Sequence, residues 1–163
     1  MRVIVPYTKI TPECDEALER HAPKAERIYV GASDQDYWRL LLALWGQRQS
    51  FILVEHDVVI DEHTLPSLAR CPDLWCACPY PYISTVSYGL ACVKFRREVM
   101  EKVPLLMEVV GCGTPRNHPA GHWCTLDQII SPVLWSLGVG RCQKHPLVGH
   151  PGHEVSSSHG CKL

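Results

Sequence analysis

Two acidic residues separated by one position, Glu55 and Asp57, directly follow the apolar run Phe51–Val54. Burying two carboxylates at the end of a core strand is costly unless a cation or hydrogen bonds compensate. Carboxylate oxygens are ligands that Mg²⁺ and Mn²⁺ prefer, and such an ion can bridge two phosphates and neutralise charge on a departing group. The segment therefore predicts a divalent-cation site, with a pair of solvated carboxylates in a turn as the alternative.

Histidines from the C-terminal part of the chain could complete such a site. Imidazole is a good ligand for borderline cations, and a loop rich in proline and glycine can fold over a site. The candidates alternate with such residues and are His145, His150, His153 and His159. Taken alone, histidines in this setting are more often surface residues.

A third candidate is Asp127, which follows Thr125 at the start of an apolar helical pattern over 126–137. Thr125 could cap this helix, with Asp127 as an acid favoured by the helix dipole. Alternatively, Asp127 could be a general base that deprotonates a hydroxyl group, which a positioned carboxylate does well.

The nine cysteines form an odd set, and the N-terminus lacks the pattern of a secretion signal. We therefore expect reduced, mostly buried thiols rather than disulfides. Structural zinc sites usually combine two closely spaced ligand pairs. Cys71, Cys76 and Cys78 are close together, but no clean second pair follows, although Cys112, His122 and Cys124 are present. The alternative to an enzyme is a Cys/His zinc-binding interaction module without catalysis, supported only by the nine cysteines and nine histidines.

The elements that must position these residues alternate between strand and helix. Apolar and capping patterns predict strands over 3–5, 27–30, 51–54 and 90–95, and helices over 12–21, 37–45, 65–70, 97–102 and 126–137. This order predicts an α/β chain with a mostly parallel, doubly wound sheet, in which ligands bind beyond the carboxyl ends of the strands. Glu55, His56 and Asp57 would lie at that edge.

Length and charge limit the remaining possibilities. The 163 residues suit one domain, predicted over 1–150 with an irregular tail over 151–163. A net charge of −1 gives no general attraction to nucleic acid or membrane, and no apolar stretch approaches the roughly 20 residues of a bilayer span. Because the N-terminus lacks the pattern of a secretion signal, we expect a cytoplasmic protein. A local basic face could still contact phosphates, although ordinary solvated charges around a helix are the favoured interpretation; the residues concerned are Lys94, Arg96, Arg97 and Lys102.

Sequence motifs of several enzyme classes are missing. The chain contains no Walker, Rossmann or nucleophile-elbow pattern, which disfavours kinases, dehydrogenases and hydrolases. A metal-dependent nucleotidyltransferase or nuclease would also place acids at strand ends. However, few acids beyond Glu55, Asp57 and Asp127 fall where such a reaction would need them.

The order of these pieces resembles the GT-A glycosyltransferases, specifically the short versions of bacteriophages and their bacterial relatives. The resemblance covers nearly the whole chain, although the acceptor half is abbreviated. Glu55-His56-Asp57 matches the family's Asp-X-Asp motif, with glutamate in place of the first aspartate. The segments that carry the resemblance are 3–7, 51–57, 89–95, 122–127 and 148–150.

The resemblance implies a metal-dependent transfer of a sugar from a nucleotide-diphosphate sugar, most often a UDP-sugar, to an acceptor hydroxyl. Asp57, with help from Glu55, would hold Mn²⁺ or Mg²⁺ against the diphosphate, while Glu55 could instead contact the ribose. His150 or His153 would be the late metal ligand.

The resemblance also assigns the donor pocket and the base. The residues implied to contact the nucleotide are Pro6, Tyr7, Thr8, Asp34, Glu55 and His56. Asp127 maps onto the candidate base, which would favour an inverting displacement. The acceptor could be a modified DNA base of a phage genome, a protein or a small molecule, and the location would then be the host cytoplasm.

Overall fold

The computed structural model describes residues 1–82, 85–112, 121–142 and 144–151. Its strands are β1 (Arg2–Tyr7), β2 (Glu26–Tyr29), β3 (Phe51–Val54), β4 (Trp75–Ala77), β5 (Tyr80–Tyr82), β6 (Thr85–Ser87) and β7 (Cys92–Phe95). Its helices are α1 (Pro12–His21), α2 (Asp36–Gln47), α3 (Thr64–Arg70), α4 (Arg97–Lys102), α5 (Leu106–Cys112) and α6 (Leu126–Ser136), preceded by a 3₁₀ turn over Trp123–Thr125. Most of the predicted tail, residues 152–163, lies outside the described part.

Five strands form one sheet in the order β2-β1-β3-β7-β4. β1 pairs in parallel with β2 and β3, whereas β7 is antiparallel to both β3 and β4. Four strands therefore run in one direction and β7 in the other. The α/β class and the mostly parallel sheet are confirmed. The antiparallel direction of β7 was not predicted from the sequence. β5 and β6 form a separate hairpin.

The residues of β3 explain why it lies at the centre of the sheet. All four are buried, and they alternate between two cores. Phe51 and Leu53 pack with α2, α4, α5 and α6, whereas Ile52 and Val54 pack with α1 and α3. Because burial of one large apolar side chain contributes about 1.5–3 kcal/mol, this strand firmly fixes the loop that begins at Glu55.

Helix starts follow the sequence prediction in one case and not in another. The Thr11 hydroxyl accepts a hydrogen bond from the Cys14 amide at 3.4 Å, which caps α1 as predicted. At α6, the Thr125 side chain makes no cap hydrogen bond and instead donates to the His122 carbonyl at 2.8 Å. The capping role predicted for Thr125 is therefore wrong.

β1 continues through Pro6, where the sequence predicted its end. The Tyr7 carbonyl accepts from the Val30 amide, on the side of β2. Pro6 therefore directs its backbone to the opposite side, beyond the last β1–β3 pair at Ile4 and Leu53. No donor is needed there, so proline is tolerated within the strand. The described residues contain no helix that is long and apolar enough to cross a membrane.

Candidate functional site

The loop after β3 brings two of the predicted acids to the carboxyl edge of the sheet. The Glu55 amide donates to the Ala91 carbonyl at 2.8 Å, which ties this loop to the residue before β7. A turn follows, in which the Val58 amide donates to the Glu55 carbonyl at 3.2 Å. Glu55 and Asp57 are consequently held on a short, fixed piece of backbone.

Glu55 is partly buried, and its carboxylate accepts a hydrogen bond from the Tyr37 hydroxyl at 2.7 Å. Burial, followed by the negative charges of Asp127 and Asp57, raises the pKa of Glu55 to about 8, although the Tyr37 hydrogen bond opposes this change. The neighbourhood therefore disfavours the negative charge of Glu55, and a cation would reverse that preference.

Asp127 reaches the same edge from the first turn of α6. Its Oδ1 accepts from the Leu90 amide at 2.8 Å. A Cβ atom on Gly89 would lie 2.2 Å from Asp127 Oδ2 and 2.7 Å from the Tyr80 hydroxyl oxygen, so any larger residue here would displace these side chains. The backbone of 89–90 thus orients the Asp127 carboxylate directly.

The electrostatics of Asp127 differ from those of an ordinary surface acid. Burial of the carboxylate raises its pKa to about 6, while the Leu90 hydrogen bond and the positive charge of Arg141 act in the opposite direction. The residue as a whole is exposed, so water screens these effects and incoming molecules have access to it.

His150 contacts Asp57, with 3.6 Å between His150 Nε2 and Asp57 Oδ2. Two backbone hydrogen bonds between Gly149 and Val59, at 2.9 and 3.0 Å, place the histidine beside the loop. Its ring stacks on Tyr80, with centroids 4.9 Å apart, and the residue is only 5% exposed. The structure therefore joins an acid and an imidazole that are far apart in the sequence.

The residues predicted to contact a nucleotide lie around the same edge. Pro6 is buried, Tyr7 partly buried and Thr8 exposed where β1 ends. His56 is partly buried between the two acids. Asp34 is exposed in the loop after β2, and its carboxylate lies 3.6 Å from His122 Nε2. His153 lies outside the described residues.

Four residues of the site were missed or assigned another role by sequence reasoning. Tyr37 was interpreted only as an apolar helix position, Gly89 only as the first residue of the segment 89–95, and Tyr80 and Arg141 were not singled out. The Arg141 guanidinium lies over the rings of Trp75 and Tyr88, 5.4 and 5.1 Å from their centroids, and donates to the Tyr88 carbonyl. Among these four residues, only Gly89 gave a signal in the sequence, as a glycine shortly before a buried strand.

Lys94 belongs neither to a basic face nor to a set of solvated charges, so both interpretations are wrong for this residue. This residue is fully buried, and its ammonium donates to the Cys71 carbonyl at 2.5 Å. It alternates with Val93 and Phe95 in β7, and therefore faces the core that contains α1 and α3. Arg96 is partly buried and forms an ion pair with Glu98, whereas Arg97 is exposed and forms an ion pair with Glu101.

Comparison with known proteins supports the fold. No protein-family model and no curated protein sequence matches the chain. A glycosyltransferase involved in the glycosylation of the major capsid of PBCV-1 has a similar structure, with a TM-score of 0.54 and 11% identity over 91% of this chain and 92% of that chain. A197 from STIV is also similar, with a TM-score of 0.50 and 12% identity over 91% of this chain and 81% of that chain. The chain thus has a glycosyltransferase-like α/β fold.

Proposed function

We propose that the protein is a metal-dependent glycosyltransferase, which moves a sugar from a nucleotide-diphosphate sugar to an acceptor hydroxyl. The observation that carries this proposal is the convergence of Glu55, Asp57, Asp127 and His150 at the carboxyl edge of a glycosyltransferase-like sheet. The charges of Asp57 and Asp127 both act on Glu55, whose pKa is raised to about 8, so a cation would balance the charge of this site.

Asp57 and His150 offer two ligand atoms that suit Mn²⁺ or Mg²⁺. Asp57 Oδ2 and His150 Nε2 are 3.6 Å apart, close to the spacing of about 3 Å between adjacent ligands of an ion bound at about 2.1 Å. Glu55 either supplies a further oxygen or contacts the donor ribose. When bound, the ion would offset the charge that develops on the departing diphosphate.

Asp127 is the general base in this proposal. The Leu90 amide holds one carboxylate oxygen at 2.8 Å, and the exposed position admits an acceptor. A pKa raised toward 6 makes Asp127 a better base at neutral pH than an ordinary aspartate, while leaving it mostly ionised. The acceptor oxygen would attack the anomeric carbon, its proton would pass to Asp127, and the bond to the diphosphate would break, with inversion.

The donor pocket is proposed to lie where β1 and β2 end. Tyr7, Thr8 and Asp34 leave polar groups at this edge, and the ring of Tyr7 packs edge-on against Tyr29, with centroids 5.7 Å apart. We assign Pro6, Tyr7, Thr8, Asp34 and His56 to the nucleotide, and a UDP-sugar as donor.

For the acceptor, we propose only that it is a compound with a hydroxyl group. A modified DNA base, a protein and a small molecule all supply such a group. Burial of Lys94 removes one of the cations on which contact with a DNA backbone would depend. This observation favours an acceptor other than DNA.

A zinc-binding interaction module without catalysis is supported by one observation, a cluster that consists of Cys71, Cys76, Cys142 and His145. Such a module would not require the convergence of three acids at the carboxyl edge of the sheet. The two hypotheses therefore make different predictions for nucleotide binding.

Calorimetric titration of UDP, GDP and their sugar conjugates, with and without Mn²⁺, tests the proposal. We expect binding that requires the metal and that Asp57→Asn abolishes. Glu62→Gln is the matched control, because Glu62 is an acid of the same loop whose side chain is 76% exposed. Failure of every nucleotide to bind the folded protein would overturn the proposal, and equal loss in both variants would overturn the assignment of Asp57.

A further inference from the structure

Four potential metal ligands meet at the β4 edge of the sheet, away from the carboxylate site. Cys71 follows α3, Cys76 lies in β4, and Cys142 belongs to a segment that pairs with β4. The backbone of Cys142 makes two hydrogen bonds to β4, at 3.1 and 3.2 Å. With His145, these residues offer ligand atoms that all lie within 4.8 Å of one another.

The orientation of His145 points to a ligand. Its Nδ1 lies 2.9 Å from the Ser67 hydroxyl, whereas its Nε2 is buried with no hydrogen-bond partner among the described residues. A buried polar atom without a partner is costly. If Nδ1 carries the proton and donates to Ser67, the lone pair of Nε2 is available to a metal. A hydroxyl in this position is the kind of outer contact that orients metal-bound histidines.

The burial of Lys94 has an explanation at this cluster. Lys94 pairs with Cys76 across β7 and β4, and its ammonium bonds the Cys71 carbonyl. An isolated ammonium in a protein core is strongly disfavoured. Three thiolates and one Zn²⁺ carry a net charge of −1, which a neighbouring ammonium would neutralise.

We propose that Cys71, Cys76, Cys142 and His145 bind one structural Zn²⁺ ion. Three sulfurs and one imidazole nitrogen form a complete tetrahedral set, which leaves no open position for catalysis. Thiolates select zinc over Mn²⁺ or Mg²⁺, so this site is chemically distinct from the one at Asp57. Sulfurs bound to one zinc ion at about 2.3 Å lie about 3.8 Å apart, so closing the cluster requires a movement of about 1 Å or less.

The zinc ion would attach the segment 142–150 to the sheet. Beyond His145, the Val148 amide donates to the Pro79 carbonyl at 2.9 Å, and Gly149 pairs with Val59. His150 follows immediately and contacts Asp57. The ion would therefore position His150, the proposed ligand of the other metal site, indirectly and from a site five residues earlier in the chain.

Metal analysis of the full chain, purified under reducing conditions without added metal, tests this inference. We expect one zinc ion per chain, retained through gel filtration and released when the thiols are modified. Cys142→Ser and His145→Ala should lose the ion, whereas Cys112→Ser, which changes an exposed cysteine outside the cluster, should retain it. Ser67→Ala should weaken zinc affinity about 10-fold or more, as loss of an outer contact does.

Reconstitution with Co²⁺ keeps the inference testable if a ligand variant fails to fold. We expect the metal-depleted wild-type protein to bind one Co²⁺ ion, with the absorption of thiolate coordination in a tetrahedral site. A folded wild-type protein that binds neither Zn²⁺ nor Co²⁺ would overturn the inference, as would an intact mass lower by two hydrogens that locates a disulfide among these cysteines. Neither result depends on nucleotide binding, so the two proposals can fail separately.

Discussion

Replacing Glu55 by glutamine should stabilise the metal-free protein at alkaline pH. The pKa of Glu55 is raised from its ordinary 4.5 to about 8 by burial and by the charges of Asp127 and Asp57. Between these two values, the folded protein keeps a proton that the unfolded chain releases. The stability contributed by this group is therefore fully present below pH 4.5 and is lost as the pH rises through about 8.

The size of the effect follows from the same change in pKa. At 1.36 kcal/mol for each pKa unit, a rise from 4.5 to about 8 corresponds to at most about 5 kcal/mol above pH 8. Glu55 is only partly buried, so water and local rearrangement reduce this cost, and we expect about 1–3 kcal/mol. For a chain of this size, Glu55→Gln should then raise Tm by about 3–10 °C at pH 8.5.

Thermal unfolding in EDTA, followed by circular dichroism from pH 5 to pH 8.5, measures this difference. The gain should shrink as the pH falls toward 5, because Glu55 is then protonated in the folded wild-type protein. Glutamine can still accept the Tyr37 hydrogen bond, and Glu62→Gln controls for removal of a solvated acid. Added Mn²⁺ should stabilise the wild-type protein more than Glu55→Gln. A variant less stable than wild type at pH 8.5 in EDTA would refute the idea that Glu55 is held at an energetic cost.

Three further variants test the assigned roles. Asp127→Asn should retain donor binding and lower kcat by about 10²–10⁴-fold. The wild-type rate should fall as the pH drops through about 6, where Asp127 becomes protonated. A pH profile that the substitution leaves unaltered would exclude Asp127 as the base. Gly89→Ala places a methyl group 2.2 Å from the Asp127 carboxylate and should impair turnover. The control is Gly46→Ala, in a helix with open space around this position. It should leave turnover unchanged and add about 0.5–1 kcal/mol to the free energy of unfolding. His150→Ala should weaken Mn²⁺ binding in calorimetry, and unaltered affinity would remove it from the ligand set.

The elements that could be predicted from the sequence are those with a long or complete local pattern. α1 has a cap, a proline and an apolar face, and β3 has four consecutive apolar residues between polar segments. β4, β5 and β6 are three residues each, which is too short to show a period, and they were missed. α5 was missed as well. The direction of β7 depends on pairing with β3 and β4, which a local pattern does not contain.

The candidate site shows a similar division. Glu55 and Asp57 were recognisable because the buried strand and the two acids that follow it lie in one short stretch of sequence. The contact of Asp57 with His150 was implied only by the family resemblance, since pairing of Gly149 with Val59 creates it. Of the residues proposed to bind zinc, Cys71 and Cys76 were weighed for zinc, His145 only for the carboxylate site, and Cys142 not at all. Cys142 and His145 reach Cys71 and Cys76 because a distant segment pairs with β4.

The position of the segment 142–150 in the chain has a consequence for biosynthesis. All five strands of the sheet and both of its cores are encoded before residue 142, apart from the small contributions of Cys142 and Val148 to one core. A nascent chain can therefore build its sheet while Cys142, His145 and His150 are still inside the ribosome. A chain that ended before residue 142 would contain every strand of the sheet but neither complete ligand set. The proposed activity would then require residues 142–150, whereas formation of the sheet would not.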